Sequence, residues 1–188
     1  MKIIKYNGKV FGTNCSIQLM KFSKKDGRKW KSLFNIWKKL TIGMKAFGAR
    51  GINVPEGLSE SAFCMLSGSN MFLKKTSGKI PTSFDTFNLK TKKAEQIKAC
   101  SIEQDLTSFG PRSVWDDLYF LDFYNDGKID GLFDVYKIPN KYILKTRVNR
   151  TQLLKDQQME KRRPRFSLKK DVIQKYKIKP VKSKVKVW

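Results

Sequence analysis

Three polar side chains near the middle of the chain have types and a spacing that suit hydrolysis of a phosphodiester. Asp85 is followed at a distance by Gln96 and Lys98. In a β-strand, residues two apart point to the same face, so Gln96 and Lys98 would project together with Ile97 behind them in the core. If the strands that hold Asp85 and Gln96 pair, a carboxylate, an amide oxygen and an ammonium group converge. Such a set can hold Mg²⁺ and a phosphate, because Mg²⁺ favours oxygen ligands, and the lysine can position a water molecule.

The elements that must position these side chains are predicted to be a helix followed by a group of strands. Pro55 and Glu56 begin a predicted helix that ends at Gly68, since proline and acidic residues are favoured in the first turn of a helix. A segment near 168–177 is also predicted to be helical. The predicted strands are 1–24 (one or two strands around Asn7-Gly8), 70–74, 83–89, 94–100, 118–124 and 132–138. Helices that precede a cluster of strands indicate a mixed α/β class.

Arginine is concentrated in a second candidate region, where Arg162, Arg163 and Arg165 surround Pro164. The guanidinium fork matches both phosphate oxygens and the O6 and N7 atoms of guanine, and Phe166 can anchor the segment to the core. A solvated basic run, a nuclear address or RNA binding are the alternatives. The residues expected to accompany these arginines in DNA contact are Gln157 and Gln158 at base edges and Lys141, Lys145, Arg147, Arg150, Lys169 and Lys170 at phosphates.

The composition points to a polyanionic partner. The 188 residues include 40 Lys and Arg against 16 Asp and Glu, which gives a net charge of +24. Net charges of +15 for residues 1–98, −5 for 99–139 and +14 for 140–188 indicate a basic surface assembled from both ends of the chain. The absence of histidine excludes Ser-His-Asp and Cys-His catalysis and His-containing zinc sites.

The three cysteines and the hydropathy of the chain suggest a cytoplasmic protein. Cys15, Cys64 and Cys100 form no CxxC pair, so we expect small buried side chains in a reducing compartment. No apolar stretch follows the N-terminus, and no window approaches the length of a membrane span. We therefore expect no secretion and no membrane insertion.

Residues 30–44 have a helical spacing of apolar side chains with lysines on the other faces. The predicted packed face consists of Trp30, Leu33, Phe34, Trp37, Leu40 and Met44. A membrane-surface helix is the alternative, because the polar face is strongly basic.

The segment from Asp122 to Asp130 superficially resembles a calcium-binding EF-hand loop. Its third position is Tyr124 and its twelfth is Phe133, where oxygen ligands are required. A hairpin turn is the better interpretation. Asp116, Asp117, Asp122 and Asp134 are expected to make structural pairs rather than to bind a metal.

The chain resembles small type II restriction endonucleases of the PD-(D/E)XK nuclease superfamily. The resemblance covers residues 50–180. It lies in the segments 55–60 (PEGLSE), 83–86 (SFDT), 96–98 (QIK), 115–120 (WDDLYF), 134–139 (DVYKIP), 156–158 (DQQ) and 162–167 (RRPRFS). The subgroup that is most similar cleaves the palindrome GCNGC.

The resemblance implies a fold, a cofactor and a set of site residues. The fold is a mixed central β-sheet flanked by helices, with a basic C-terminal extension. Asp85, Gln96 and Glu60 would hold Mg²⁺, and Lys98 would orient the attacking water. Gln96 departs from the family pattern, which has Asp or Glu at this position. Glu60, rather than Glu95, is expected to supply the missing negative charge.

Two functions follow as the leading hypotheses. The first is a Mg²⁺-dependent, sequence-specific endonuclease that acts on double-stranded DNA and leaves 5′-phosphates. It would be a homodimer on a palindromic target, with a cognate DNA methyltransferase as its functional partner. The second is a non-catalytic basic protein that binds RNA or DNA. For the endonuclease, residues 1–178 are expected to form a single nuclease domain, with the metal site within 55–100 and DNA contacts at about 140–178. Residues 179–188 are expected to form a poorly ordered basic tail.

Overall fold

The computed structural model describes residues 1–49, 51–103 and 106–188, and this part of the chain contains ten strands and four α-helices. The strands are β1 Lys2–Val10, β2 Thr13–Lys21, β3 Asn70–Ser77, β4 Thr86–Asn88, β5 Lys93–Cys100, β6 Thr107–Ser108, β7 Asp117–Asp122, β8 Phe133–Ile138, β9 Arg165–Phe166 and β10 Lys182–Val185. The α-helices are α1 Gly27–Ala46, α2 Glu56–Ser67, α3 Asn140–Leu144 and α4 Leu154–Met159. Residues Lys169–Gln174 form a π-helix, where the sequence predicts a helix.

Eight of the strands form one mixed sheet in the order β1-β2-β3-β4-β5-β7-β8-β10. The central pair β5–β7 is parallel, and every other neighbouring pair is antiparallel. The short strands β6 and β9 pair with each other in a separate two-stranded sheet. The predicted α/β class, with a mixed central sheet flanked by helices, is confirmed.

The sheet is covered on both faces, because successive side chains of its strands enter different hydrophobic clusters. Ile97 of β5 and Leu121 of β7 pack with α1 and α2. Cys100 of β5 and Phe120 of β7 lie in the cluster formed by the C-terminal third of the chain. This alternation gives three layers, and it places even-numbered residues of β5 on the side of the C-terminal segment.

The N-terminal strands form a hairpin whose turn lies at Phe11-Gly12. Val10 pairs with Thr13, and the two turn residues have φ values of 50° and 77°. Positive φ at both central residues is typical of the two-residue turn that matches the twist of a hairpin. The predicted turn at Asn7-Gly8 is wrong, since Asn7 and Gly8 lie within β1 and pair with β2.

Helix α1 packs through a narrower face than the sequence predicts. Trp30, Phe34 and Trp37 are at most 5% exposed, and the Trp30 Nε1–H donates to the Leu58 carbonyl oxygen of α2 at 2.8 Å. Leu33 and Leu40 are 47% and 54% exposed, and Met44 is exposed as well, so their predicted place on the packed face is wrong. The buried face of α1 is therefore a narrow stripe that runs through Trp30, Phe34, Trp37 and Thr41.

The last residues of the chain belong to the folded structure rather than to a poorly ordered tail. Strand β10 pairs with β8, and the Trp188 ring stacks on the Trp30 ring at 5.2 Å between centroids. Gly131 leaves room for this indole, because a Cβ atom there would overlap the Trp188 ring. The sequence prediction missed this strand because lysines are interspersed with the two valines and the tryptophan that pack against the core.

Two predictions about the whole chain can be compared with the structure. Cys15, Cys64 and Cys100 are all buried, as predicted, and are present as thiols. Within the described residues, the structure contains no helix with the length and apolar character needed to cross a bilayer.

Candidate active site

The pairing of β4 with β5 brings Asp85 next to Gln96. Thr86 of β4 pairs with Glu95 of β5, and the Asp85 backbone N–H donates to the Glu95 carbonyl oxygen at 2.9 Å. The Asp85 carboxylate accepts the Ile97 backbone N–H at 2.7 Å and also accepts the side-chain amide of Gln96. The ten residues between Asp85 and Gln96 therefore form an antiparallel connection that brings the two side chains together, as the spacing predicts.

Lys98 and Glu60 lie near this pair, in electrostatic contact with it. The charge of Lys98 lowers the pKa of both Asp85 and Glu60, whereas the charge of Asp85 raises the pKa of Glu60. Glu60 is half-buried in the second turn of α2, and Lys98 is half-buried on β5. The four residues predicted from the sequence thus occupy one neighbourhood built from α2, β4 and β5.

Burial is the main influence on the pKa values of the Glu60 and Asp85 carboxyl groups. It raises the pKa of Glu60 to about 8, with smaller upward contributions from Asp85 and Glu56. It also raises the pKa of Asp85 to about 6. The hydrogen bond from the Ile97 N–H, the charge of Lys98 and the hydrogen bond from Gln96 lower this pKa but do not outweigh burial. Two buried carboxyl groups with raised pKa values favour either protons or a cation between them.

The donor set fits a bound divalent cation. Gln96 is 4% exposed, and its Oε1 atom is buried without a hydrogen-bond partner. An orphaned buried oxygen costs free energy unless a ligand satisfies it, and here it lies beside the Asp85 carboxylate. The described residues include no group of three or more His, Cys, Asp and Glu side chains able to hold a metal.

Glu95 does not join Asp85 and Gln96. It is 2% exposed, and its carboxylate accepts the Thr86 hydroxyl at 2.7 Å. Burial raises the pKa of Glu95, while the bond from Thr86 lowers it. The Glu95 carboxylate is thus bonded away from Gln96, whereas Glu60 interacts with Asp85 and Lys98, which favours Glu60 as the additional acid.

A cleft beside Lys98 contains a glutamate that the sequence did not single out. The cleft has a volume of about 140 Å³, and Glu56, Ser59, Thr107 and Ser108 line it together with Lys98. Glu56 is exposed, and it lies one helical turn before Glu60 on the same face of α2. An acid in the first turn of a helix has an ordinary explanation in the helix dipole, so the sequence alone gave no reason to select it.

Buried rings connect the Lys98 cleft with the arginine-rich segment. The Lys98 Nζ atom lies 5.6 Å from the centre of the Phe109 ring, and Phe109 stacks on Phe166 at 5.5 Å between centroids. Next to them, Ser108 of β6 pairs with Arg165 of β9. The predicted anchoring of this segment by Phe166, which is 4% exposed, is confirmed.

The residues predicted to contact DNA divide into exposed and internally bonded groups. Arg163, Arg165 and Lys170 are exposed. Arg162 is exposed but forms an ion pair with Glu160 at 3.2 Å. Gln157 and Gln158 are half-buried and donate to the Gln152 side chain at 3.2 Å and to the Gly110 carbonyl oxygen at 2.9 Å.

Lys169 differs from the exposed members of the predicted DNA-contacting set because its charge is paired within the protein. Its Nζ atom pairs with the Asp122 carboxylate at 2.8 Å, and the Asp122 side chain is only 9% exposed. The ammonium group therefore points to the hairpin strand β7 rather than to solvent. This partner lies 47 residues away in the chain, which the sequence could not reveal.

The acidic hairpin residues make structural contacts, as predicted. Asp116 accepts the Ala94 backbone N–H at 2.8 Å, and Asp117 pairs with Lys137 at 2.9 Å and Lys93 at 3.3 Å. Asp134 accepts the Lys184 backbone N–H at 2.7 Å. The segment between β7 and β8 is a hairpin connection and not a helix–loop–helix, so the EF-hand resemblance fails.

The mixed central sheet flanked by helices is consistent with a restriction-endonuclease-like fold, and Asp85 and Lys98 lie at its neighbouring strands β4 and β5. The family model described as Bsp6I restriction endonuclease matches residues 22–175. The type II restriction enzyme Bsp6I of Bacillus sp. (strain RFL6) is 38% identical over 148 residues, which cover 78% of this chain and 80% of that protein.

The chain thus belongs to the Bsp6I restriction endonuclease family and is a type II restriction enzyme, which acts on DNA. No solved structure matches it. The matched residues 22–175 include the whole candidate active site and the arginine-rich segment. This membership favours the endonuclease hypothesis over a basic protein without catalytic activity.

Proposed function

We propose that this restriction enzyme hydrolyses double-stranded DNA in a Mg²⁺-dependent reaction, with GCNGC as its target and 5′-phosphate ends as its products. The observation that supports this most is the meeting of the Asp85 carboxylate, the unpartnered Gln96 oxygen and Lys98. Oxygen donors of this kind suit Mg²⁺, which commonly keeps water and substrate phosphate among its ligands.

Asp85, Gln96 and Glu60 hold the cation in this proposal. When bound, the cation makes water more acidic and neutralises charge that develops on the phosphate. Asp85 is fixed by the Ile97 N–H bond at 2.7 Å, so its carboxylate is oriented before substrate arrives. Glu60 would lose its proton on binding a cation, because burial, which raises its pKa to about 8, disfavours the charged form more than the charge of Lys98 offsets.

Lys98 orients the attacking water and stabilises charge at the scissile phosphate. Its contact with the Phe109 ring at 5.6 Å restricts the ammonium group near the cleft. Attack in line with the leaving 3′ oxygen leaves a 3′-hydroxyl and a 5′-phosphate.

The arginine-rich segment binds the target DNA. Arg163 and Arg165 are exposed on a segment that the buried Pro164 and Phe166 hold against the core. Their guanidinium groups suit the guanines of GCNGC, while Lys170 and Arg162 suit backbone phosphates. Gln157, Gln158 and Lys169 contribute by supporting this surface, since their side chains are bonded within the protein.

A palindromic target is most simply read by two copies of the chain related by a twofold axis. We therefore infer a homodimer, with residues 1–178 of each copy forming a single nuclease domain that β10 completes. A methyltransferase that modifies the same target is the expected functional partner. Three buried free thiols suit a reducing cytoplasm.

Plasmid cleavage tests this function. The protein is incubated with plasmids that contain or lack GCNGC, with and without Mg²⁺, and the fragment ends are sequenced. Discrete fragments that require both Mg²⁺ and GCNGC are expected. Retarded but intact DNA under all conditions would support a non-catalytic DNA-binding protein, and fragments at a different sequence would correct the target alone.

A further inference from the structure

The site predicted from the sequence has one carboxylate fewer than its family pattern. Gln96 stands where that pattern has Asp or Glu, so Asp85 and Glu60 alone bring negative charge to the proposed cation. When ionised, these two carboxylates and the Lys98 ammonium group together carry a net charge of −1, which only partly balances a divalent cation. A further acid within reach of the cleft would restore that balance.

Glu56 is the acid that lies in the right place. It lines the 140 Å³ cleft together with Lys98. It precedes Glu60 by four residues on α2, so both carboxylates project from the same face of the helix. Glu56 also influences both Asp85 and Glu60 electrostatically, raising the pKa of each.

The buried amide of Gln96 provides an independent sign that a ligand belongs here. Its Oε1 atom is unpartnered in a residue that is only 4% exposed, and its amide nitrogen contacts Asp85. Since no group of three acids within the described residues converges closely enough to hold a metal directly, Glu56 does not complete a set of direct ligands. Its exposed carboxylate would instead reach a bound cation through water of the hydration shell, which Mg²⁺ gives up reluctantly.

We propose that Glu56 is a positioning residue that supplies, through water, the negative charge that Gln96 lacks. This inference rests on the proposed function, because it assumes a divalent cation at Asp85 and Gln96. It predicts that the two positions compensate each other: a glutamate at position 96 makes the one at position 56 dispensable.

A four-variant cycle tests this compensation with two readouts. The proteins are the wild type, Glu56→Gln, Gln96→Glu and the double variant. Mn²⁺ affinity is measured by titration calorimetry without DNA, and plasmid cleavage is measured at saturating Mg²⁺. Glu103→Gln is the control, because it removes the same charge from an exposed glutamate outside the cleft. Thermal unfolding of each variant checks that the fold is intact. We expect it to be intact in Glu56→Gln, because Glu56 is exposed.

Glu56→Gln is expected to weaken Mn²⁺ binding about tenfold and to slow cleavage by about 10- to 100-fold, as loss of an outer-shell partner commonly does. In the Gln96→Glu background the same change should cost less than about threefold. Unchanged Mn²⁺ affinity in Glu56→Gln, or an equal loss in both backgrounds, would overturn the inference.

The four-variant cycle distinguishes failure of the proposed function from failure of the proposed role of Glu56. If the wild type binds no Mn²⁺ and cuts no DNA, the proposed function and this inference fall together. If the wild type cuts in Mg²⁺ and Glu56→Gln is indistinguishable from Glu103→Gln, the proposed function stands and only the role of Glu56 is wrong.

Discussion

The active-site region and the arginine-rich segment are both rich in polar side chains, yet their predicted residues behave differently. Around β4 and β5, Asp85 contacts Gln96, and Lys98 and Glu60 lie within electrostatic reach. In the C-terminal segment, Arg163 and Arg165 are exposed, whereas Lys169 is paired with Asp122.

This difference shows what each kind of sequence signal can locate. A spacing within two paired strands fixes which side chains share a face, so it predicts geometry. A run of basic residues predicts only an electrostatic partner, and distant acids in the fold decide which cations remain available. Three variants test whether this division also separates catalysis from binding.

The largest effect is expected from Lys98→Ala. Loss of the ammonium group beside the scissile phosphate should slow cleavage by about 10³-fold, while DNA affinity changes little. Plasmid cleavage and a gel-shift assay in Ca²⁺ measure the two quantities. Lys90→Ala serves as the control, because Lys90 is an exposed lysine outside the cleft. Equal cleavage by both variants would remove Lys98 from the mechanism.

A smaller effect on binding is expected to separate Arg165 from Lys169. Arg165→Ala should lower affinity for the target by about 10- to 100-fold, as loss of one bidentate contact to guanine does. Lys169→Ala should instead change the affinity for the target by no more than a few-fold. It should lower the free energy of unfolding by about 2 kcal/mol, because the nearly buried Asp122 carboxylate loses its ion-pair partner. Binding isotherms and denaturant titrations decide this. The reverse pattern would show that Lys169 leaves Asp122 to contact DNA.

The smallest effect concerns pH. The folded-state pKa values of Glu60 and Asp85 are raised to about 8 and about 6, mainly by burial. Their contribution to stability is thus fully present below the unfolded values and is lost as pH rises through the folded values. Without metal, the free energy of unfolding should fall by about 1 to 2 kcal/mol between pH 5 and pH 8, after allowance for partial solvent exposure.

Two comparisons identify the source of this pH dependence. Glu60→Gln should flatten the dependence, and Mg²⁺ should reduce it in the wild type by pairing with the ionised carboxylates. Both are measured by denaturant unfolding at a series of pH values. A slope that is identical in Glu60→Gln would assign the effect to other groups.

The parts of the molecule that the sequence predicted are those with local periodicity. Helix α2 and the strands that contain Asp85 and Gln96 follow from apolar spacing and from the proline and glycine at the helix ends. The mixed sheet follows from the order of these elements together with the family resemblance.

The parts that the sequence missed depend on contacts between distant segments. Trp188 joins the core because Gly131 leaves space for its ring, and no local pattern encodes this pair. Glu56 was overlooked because an exposed acid in a first helical turn is common. The exposure of Leu33 and Leu40 depends on which part of α1 packs against the rest of the fold, which periodicity does not determine.

The most direct test of the site is a crystal structure of the protein soaked with Mn²⁺, with the metal located by anomalous scattering. The account predicts a peak within about 2.5 Å of both the Asp85 carboxylate and the Gln96 amide oxygen, with Glu60 turned toward it. A peak at the hairpin aspartates Asp122 and Asp134, or none near Asp85, would contradict it.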